Sequence, residues 1–468
     1  MTLIKSISGI RGTIGGAIGD NLTPLDAVKF ASAYGTWLLD RNPKKTTRKK
    51  LKVVLGRDAR ISGKMISSLV SNTLVGLGID VVDLGLSTTP TVEVAVPMES
   101  ANGGIIITAS HNPKQWNALK LLNEEGEFIN GEEGQKILAL AEKDAYLYEE
   151  VDNLGTYNKD KSYLAKHVKS VLDLDLVDRE AIKNARFKVV LDAVNSTGGI
   201  FIPALLKELG VVCVELYCEP NGEFPHNPEP LKEHLGAIAS KVIEERADFG
   251  IVVDPDVDRL AIVNEDGSMF GEEYTLVACA DYVLGEMGGG NTVSNLSSSR
   301  ALRDVTEKHG GHYKASAVGE VNVVQAMKAT DTVIGGEGNG GIIYPASHYG
   351  RDSLVGVALF LSHLAKSKKT CKELRASYPS YFMSKNKIEL TPSLDVDKIL
   401  GEMAAKYADA EVNTIDGVKI DFPTEWVHLR KSNTEPIIRI YTESTTQEKA
   451  DTLASSILQE IKEIALIS

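Results

Sequence analysis

Lys52 to Asp58 reads KVVLGRD, and Lys188 to Ser196 reads KVVLDAVNS. In both, a lysine opens a short aliphatic run that gives way abruptly to polar residues. Each heads a series: DVVDLG (80–85) and GGIIITAS (103–110) follow the first, VVCVELY (211–217) and DFGIVVD (248–254) the second. A third series, NTVSNL (291–296), HYKASAVGE (312–320) and DTVIGGEG (331–338), keeps the same rhythm. Apolar runs bounded by turn residues, with amphipathic segments between them, are the pattern of βαβ units in parallel or mixed sheets. Three related α/β domains are therefore expected. The polar stretch 142–163 marks a junction between the first two. After the helical pattern SLVGVALFLSHLAKS (353–367) the composition shifts to the strand KNKIEL, the helix DVDKILGEMAAKYA, the strands GVKIDF, EWVHLR and IIRIYTES, and a closing helix. That is a smaller α+β domain. The expected boundaries are 1–155, 156–255, 256–370 and 371–468.

The bulk numbers agree. A chain of 468 residues, 43% hydrophobic and 25% charged, is an ordinary globular protein too long for one core. Its four cysteines (Cys213, Cys218, Cys279, Cys371) form no close CxxC pair, so neither a disulfide framework nor a structural zinc site is suggested. The start, MTLIKSISGIRG, has no long apolar segment, and no stretch reaches the length of a membrane span. A cytoplasmic location and no membrane partner are expected. With 51 Lys plus Arg against 64 Asp plus Glu the net charge is −13, which argues against nucleic acid as a partner. Any phosphorylated substrate would need a locally basic pocket.

Two strand ends carry chemistry. Ile105-Ile106-Ile107 runs into Thr108-Ala109-Ser110-His111-Asn112-Pro113. Ser, Asn and Pro are ordinary turn residues, so a capped turn competes with a nucleophile, and no GxSxG elbow surrounds Ser110. The strand DFGIVV leads directly into Asp254-Pro255-Asp256-Val257-Asp258-Arg259. In an extended segment, alternate side chains share a face, so three carboxylates converge there. They repel unless a cation joins them, and an all-oxygen set favours Mg²⁺. An EF-hand loop would place Asp254, Asp256, Asp258 and Glu265 at its positions 1, 3, 5 and 12, but Arg259 stands where that loop needs glycine. Metal and hydroxyl together suggest phosphoryl chemistry.

Two further motifs concern the ligand. Gly336-Glu337-Gly338-Asn339-Gly340-Gly341 formally matches GxGxxG, but IIYPASHYGRD follows with no helical period, and Glu337 would face a pyrophosphate, so a dinucleotide site is excluded. In RKSNTEPIIRI (430–440), Arg430 and Arg439 can fork to phosphate oxygens, while Ser432, Asn433 and Thr434 supply the donors of an anion-binding turn.

TASHNP, DPDVDR, GEGNGG and RKSNTEP, in this order and with SGIRG (8–12) before them, strongly resemble the α-D-phosphohexomutase family over essentially the whole chain. The resemblance implies four domains around a central cleft. It also implies an Mg²⁺-dependent isomerase that interconverts hexose 6-phosphate and hexose 1-phosphate through a phosphoserine and a bound hexose 1,6-bisphosphate. Ser110 becomes the phosphoserine and a metal ligand beside Asp254, Asp256 and Asp258. Arg11 and Lys120 stand by the reacting phosphoryl group, and Arg57 and Arg60 support. By position, His111 orients the turn or is a satisfied structural histidine, and Arg259 meets phosphate oxygens or simply neutralises the aspartates. Glu337 and Asn339 bind sugar hydroxyls, and the 430–439 loop grips the non-reacting phosphate. The family's usual histidine after GE(M/Q)SG is Gly341 here, so His348 becomes a candidate stand-in. Phosphoglucosamine mutase is the first choice, with phosphomannomutase or phosphoglucomutase next. A Mg²⁺ phosphatase would not need a second phosphate clamp, and a sugar-phosphate sensor would not need the serine. The fourth domain is expected to close over the substrate, with 375–395 as hinge.

Overall fold

The computed structural model describes residues 2–6, 9–42, 50–389, 395–431 and 437–467. Its first sheet contains β1 (Ile4–Ser6), β2 (Gly9–Thr13), β3 (Lys52–Arg57), β4 (Asp80–Leu86), β5 (Gly103–Ile107), β6 (Trp116–Leu122) and β7 (Tyr157–Lys159), in the order β1-β2-β6-β5-β3-β4-β7. The second, β11-β10-β8-β9, is built from β8 (Lys188–Asp192), β9 (Val212–Leu216), β10 (Phe249–Val253) and β11 (Leu260–Asn264). The third, β13-β12-β14-β15, uses β12 (Asn291–Asn295), β13 (Tyr313–Ser316), β14 (Thr332–Glu337) and β15 (Gly341–Ile343).

One design is used three times. In each sheet three parallel strands are followed by an antiparallel return: β5 into β6, β10 into β11, β14 into β15. TASHNP, DPDVDR and GNG are the three connections at this equivalent point. The strands that deliver them, β5 and β10, are buried at every position, which explains their unbroken aliphatic runs. The third connection confirms that no dinucleotide loop is present, because β14 turns into a strand and not a helix. Gly340, at φ +87°, is required at that turn: a Cβ there would lie 2.3 Å from the Leu260 carbonyl oxygen.

The fourth sheet is antiparallel, β16-β20-β19-β18-β17, from β16 (Phe382–Glu389), β17 (Glu411–Asn413), β18 (Val418–Asp421), β19 (Trp426–Lys431) and β20 (Ile437–Ser444). The helices Val396–Lys406 and Gln447–Ile467 belong to this unit, which keeps a core of its own, centred on Ile399, Met403, Ile420, Leu429, Ile440 and Ile457.

The expected boundaries shift for physical reasons. β7 pairs in parallel with β4, so the first sheet runs past residue 155. The boundary at 255/256 falls inside the second sheet, because β11 pairs with β10 residue for residue from Phe249–Asn264 to Val253–Leu260. The 370/371 boundary also moves: Cys371 and Leu374 are buried in the core shared by the second and third sheets, and the fourth sheet starts at Phe382. Of the 375–395 segment, 382–389 is strand β16, and 390–394 lie outside the described residues. All four cysteines are unpaired, and among the described residues no helix is long and apolar enough to cross a membrane.

Candidate active site

The serine loop is held from below. Arg60, fully buried, donates from Nη1 to the carbonyls of Pro113 (2.8 Å) and Trp116 (2.9 Å), and from Nη2 to those of Ser110 and Asn112. Asp58 accepts from Arg60 Nε at 3.0 Å and from Thr108 Oγ1 at 2.7 Å, and Thr108 Oγ1 in turn accepts from the Ser110 amide at 3.0 Å. Arg60 is thus the central clamp of the loop, more than the support expected of it. So restrained, Ser110 adopts φ +47°, a left-handed conformation uncommon outside glycine. This backbone turns its Oγ to Asp254 Oδ2, to which it donates at 2.9 Å. The same twist brings the adjacent His111 Nδ1 to 3.4 Å from Oγ, a closeness that sequence neighbours rarely reach. Burial, then the guanidiniums of Arg259 and Arg11, hold the His111 imidazole well below its usual range, so it is neutral at pH 7.

The three aspartates converge by a route other than strand alternation. Residues 254–259 form a turn, not an extended segment: the Val257 amide donates to the Asp254 carbonyl at 3.1 Å, and Val257 has φ +65°. Asp254 Oδ1 accepts from the amides of Asp258 (3.1 Å) and Arg259 (3.2 Å), which folds the loop around its first carboxylate. All three aspartates are fully buried, with carboxylate oxygens near enough to share one ion. Burial and the neighbouring Asp258 and Asp256 push the Asp254 carboxyl well up. Burial opposes ionisation of Asp256 too, but Lys120 and Thr89 hold it below the usual carboxylate range. Lys120 Nζ donates to Asp256 Oδ2 at 2.7 Å and reaches Asp258 Oδ2 at 3.5 Å, while Thr89 Oγ1 donates to Asp256 Oδ2 at 2.6 Å. Asp256 Oδ1 and Asp258 Oδ1 are buried with no donor among the described residues. A buried carboxylate oxygen without a donor is costly to keep ionised unless a cation meets it. An all-oxygen set of this kind suits a hard divalent cation.

Around the triad stand the cations that the acidic chain requires. Arg11, on β2, donates from Nη1 to Asn112 Oδ1 at 3.4 Å, and its charge and that of Arg259 are felt at His111. Arg259 Nη1 lies 3.4 Å from Glu229 Oε1, and its buried Nε has no acceptor among the described residues. Arg430 and Arg439 are paired in register across β19 and β20. Burial, with Arg439 adding to it, lowers the Arg430 pKa, and the Glu337 charge reaches it from the third domain. Ser432, Asn433 and Thr434 lie outside the described residues.

Glu337 is tied down rather than free. Its Oε1 accepts from Asn295 Nδ2 (2.8 Å) and the Gly319 amide (3.2 Å), and its Oε2 from Arg351 Nη1 (3.0 Å). Asn339 Oδ1 accepts from the Gly341 amide at 3.2 Å, which fixes the turn. Arg351 connects the loops: beside Glu337 it donates to Asp258 Oδ2 at 2.6 Å and to Glu320 Oε2 at 3.0 Å. Sequence reading passes over Arg351, Thr89 and Glu320. A lone arginine in GRD gives little signal until the third hairpin is placed beside the second. His348 has both ring nitrogens engaged by Asp352 and Glu93, which does not suit it as a stand-in at the sugar loop.

Comparison with known proteins agrees with this arrangement. Sequence models of phosphoglucomutase/phosphomannomutase α/β/α domains I, II and III match residues 3–147, 162–267 and 271–381, and the model of its C-terminal domain matches 389–460. A phosphoglucomutase/phosphomannomutase of Thermococcus kodakarensis is 36% identical over 444 residues, 94% of this chain and 95% of its own length. A phosphoglucosamine/phosphogalactosamine mutase of Sulfurisphaera tokodaii is 31% identical over 97% of each chain. The crystal structure of a phosphoglucomutase/phosphomannomutase family protein from Burkholderia thailandensis superposes with a TM-score of 0.84 at 25% identity, over 99% of this chain and 98% of that one. With the same antiparallel return in three sheets, four family models matched in order over nearly the whole chain and a 36% identical relative, the chain belongs to the phosphoglucomutase/phosphomannomutase family of α-D-phosphohexomutases.

Proposed function

We propose that the protein interconverts a hexose 6-phosphate and its 1-phosphate through a phosphoryl group carried on Ser110. The observation that carries this reading is the strained, buried Ser110 Oγ hydrogen-bonded to an aspartate triad with two donorless oxygens. In the first half-reaction a sugar hydroxyl attacks the phosphoserine; the Oγ–P bond breaks, a sugar O–P bond forms, and the proton lost by the sugar is balanced by the one gained at Oγ. The bound bisphosphate turns over, and Ser110 Oγ attacks the other phosphoryl group: a new Oγ–P bond forms, the sugar O–P bond to that group breaks, and the proton lost by Oγ is balanced by the one gained by the released sugar hydroxyl. His111, neutral and beside Oγ, is placed to accept the serine proton in that return step. Lys120, raised in pKa by Asp256 and Asp258 against its burial, stays charged and acts electrostatically. Arg11 and Arg259 meet the phosphoryl oxygens, Arg430 and Arg439 with Ser432, Asn433 and Thr434 hold the opposite phosphate, and Glu337 and Asn339 read the sugar. Ser110, Asp254, Asp256 and Asp258 would hold Mg²⁺, which when bound neutralises charge on the transferring group.

Glucosamine 6-phosphate is the substrate placed first, in keeping with the GEGNGG loop and the Sulfurisphaera relative's name. Glucose and mannose phosphates are the second reading, favoured by the name of the 36% identical relative. ³¹P NMR of the phosphorylated protein with Mg²⁺, a trace of the matching bisphosphate and each 6-phosphate in turn tests both. Selective conversion names the sugar; release of inorganic phosphate alone would overturn the mutase.

A further inference from the structure

A second cluster of ligating side chains lies beyond Arg351. His167 is fully buried on the helix Tyr163–Leu172 of the second domain. Asp352 caps the helix Ser353–Ser367, its Oδ1 accepting from the Leu354 and Val355 amides at 2.8 and 3.4 Å. That leaves Oδ2 for the interior. Two imidazoles meet there: His167 Nε2 at 2.9 Å and His348 Nε2 at 3.2 Å. The rings stand nearly perpendicular, at 77°, and the three ligand atoms all lie within 4.8 Å of one another.

The far side of each ring is also engaged. His167 Nδ1 is 2.8 Å from Thr91 Oγ1, and His348 Nδ1 is 3.4 Å from Glu93 Oε2, both on the helix Thr89–Met98 of the first domain. Holding Nδ1 with a hydroxyl or carboxylate while Nε2 points inward is how proteins orient metal-ligating histidines. Glu93 is buried, and its Oε2 approaches His348 Nδ1 at ion-pair distance while neither oxygen makes a hydrogen bond among the described residues, so among them Oε2 has no partner but the imidazole. Gly350 is needed for its approach, since a Cβ there would lie 1.9 Å from Glu93 Oε2. A tetrahedral ion with bonds of about 2.0–2.1 Å sets its ligand atoms roughly 3.3 Å apart. The measured 2.9 and 3.2 Å lie within a few tenths of an ångström of that spacing.

We propose that His167, His348 and Asp352 form a second metal site, for a borderline divalent transition cation and zinc first. Two nitrogens and one oxygen discriminate it chemically from the all-oxygen aspartate triad. Its role is structural. It ties the first, second and third domains together next to Arg351, the residue that joins the metal loop to the sugar loop. His348, with its side chain 13% exposed, is the rim through which the ion enters.

The test uses the full chain, stripped of metals and then saturated with Mg²⁺ to fill the triad, with Co²⁺ as the probe. One equivalent of Co²⁺ per chain should bring up the intense visible absorption of four-coordinate cobalt, and Zn²⁺ should abolish it. His348→Gln should weaken Co²⁺ binding at least about tenfold, the lower end of what even an outer-shell change costs. Asp256→Asn should keep the band, since an oxygen-only site gives none of that intensity. Wild-type protein that takes up no such cobalt overturns the proposal whatever the variants do. So does a folded His348→Gln protein, by circular dichroism, that binds Co²⁺ as the wild type does.

Discussion

Ser110 shows how much one backbone angle decides. At φ +47° a serine side chain is tolerated, but a β-branched one meets its own carbonyl. Ser110→Ala should remove all phosphoryl transfer and all labelling of the protein by ³²P-bisphosphate. Ser110→Thr keeps a hydroxyl, yet it should cost at least about 10² in kcat, because a 1 Å displacement of the reacting oxygen suffices for that. A threonine enzyme with wild-type kcat would show that the strain is unimportant. The three aspartates can be picked out by their spacing after a buried strand, whereas Ser110 competes with a capped turn and Lys120 with an ordinary surface charge until the family resemblance singles them out. The neutrality of His111 cannot be read in the sequence, since it depends on Arg11 and Arg259 arriving from other strands.

At the scale of elements, the three antiparallel returns are where chemistry is placed, and Arg351 connects two of them. Arg351→Ala takes the guanidinium away from three buried carboxylates at once, those of Asp258, Glu337 and Glu320. Removing one partner of a buried ion pair costs about 3–5 kcal/mol, so the Tm should fall by several degrees and kcat/KM should drop with it. Unchanged thermal unfolding of Arg351→Ala would show the network to be unimportant. The apolar runs made the strands readable, and SLVGVALFLSHLAKS forms the helix Ser353–Ser367 over its whole length. What pattern misreads is the path between strands. The extended DPDVDR segment of the sequence reading is a turn, because two backbone amides close on Asp254 Oδ1. The short strand β17 carries no sustained alternation, and it forms because β18 offers it an edge.

Across the whole molecule, Ser297, Arg303 and Val318 help to join the fourth domain to the third, and so does Arg300. Its guanidinium donates to Asp421 and to the carbonyls of Pro423, Phe422 and Glu425, and its amide donates to Glu443. Arg300→Ala should loosen this join and speed amide exchange in β18 and β19; exchange at the wild-type rate would exclude a clamping role. Beside it, His428 donates from Nε2 to the Asp416 carbonyl (2.7 Å) and so, neutral, accepts at Nδ1 from Ser297 Oγ (2.9 Å). Burial, with Lys419 and Arg430 adding to it, lowers its pKa from 6.5 to about 4. The unfolded chain therefore takes up a proton that the folded one refuses. Stability is full above pH ~6.5, declines as pH falls, and levels off below ~4, a loss on the order of 3 kcal/mol. Melting curves between pH 7 and 4.5 should show this decline, flattened in His428→Gln.

The second and third domains, by contrast, share one apolar interior. Phe360, from the helix Ser353–Ser367, packs edge-on against Phe249 (centroids 5.4 Å apart) and Phe270 (5.3 Å), and that interior runs without a break from Val168 to Tyr378. Units of inheritance and units of cooperativity thus part company here. Scissors applied between residues 267 and 271, where two family modules meet, would split a single calorimetric transition and leave both fragments with an open, sticky face. A chain that reads as four modules should melt as three.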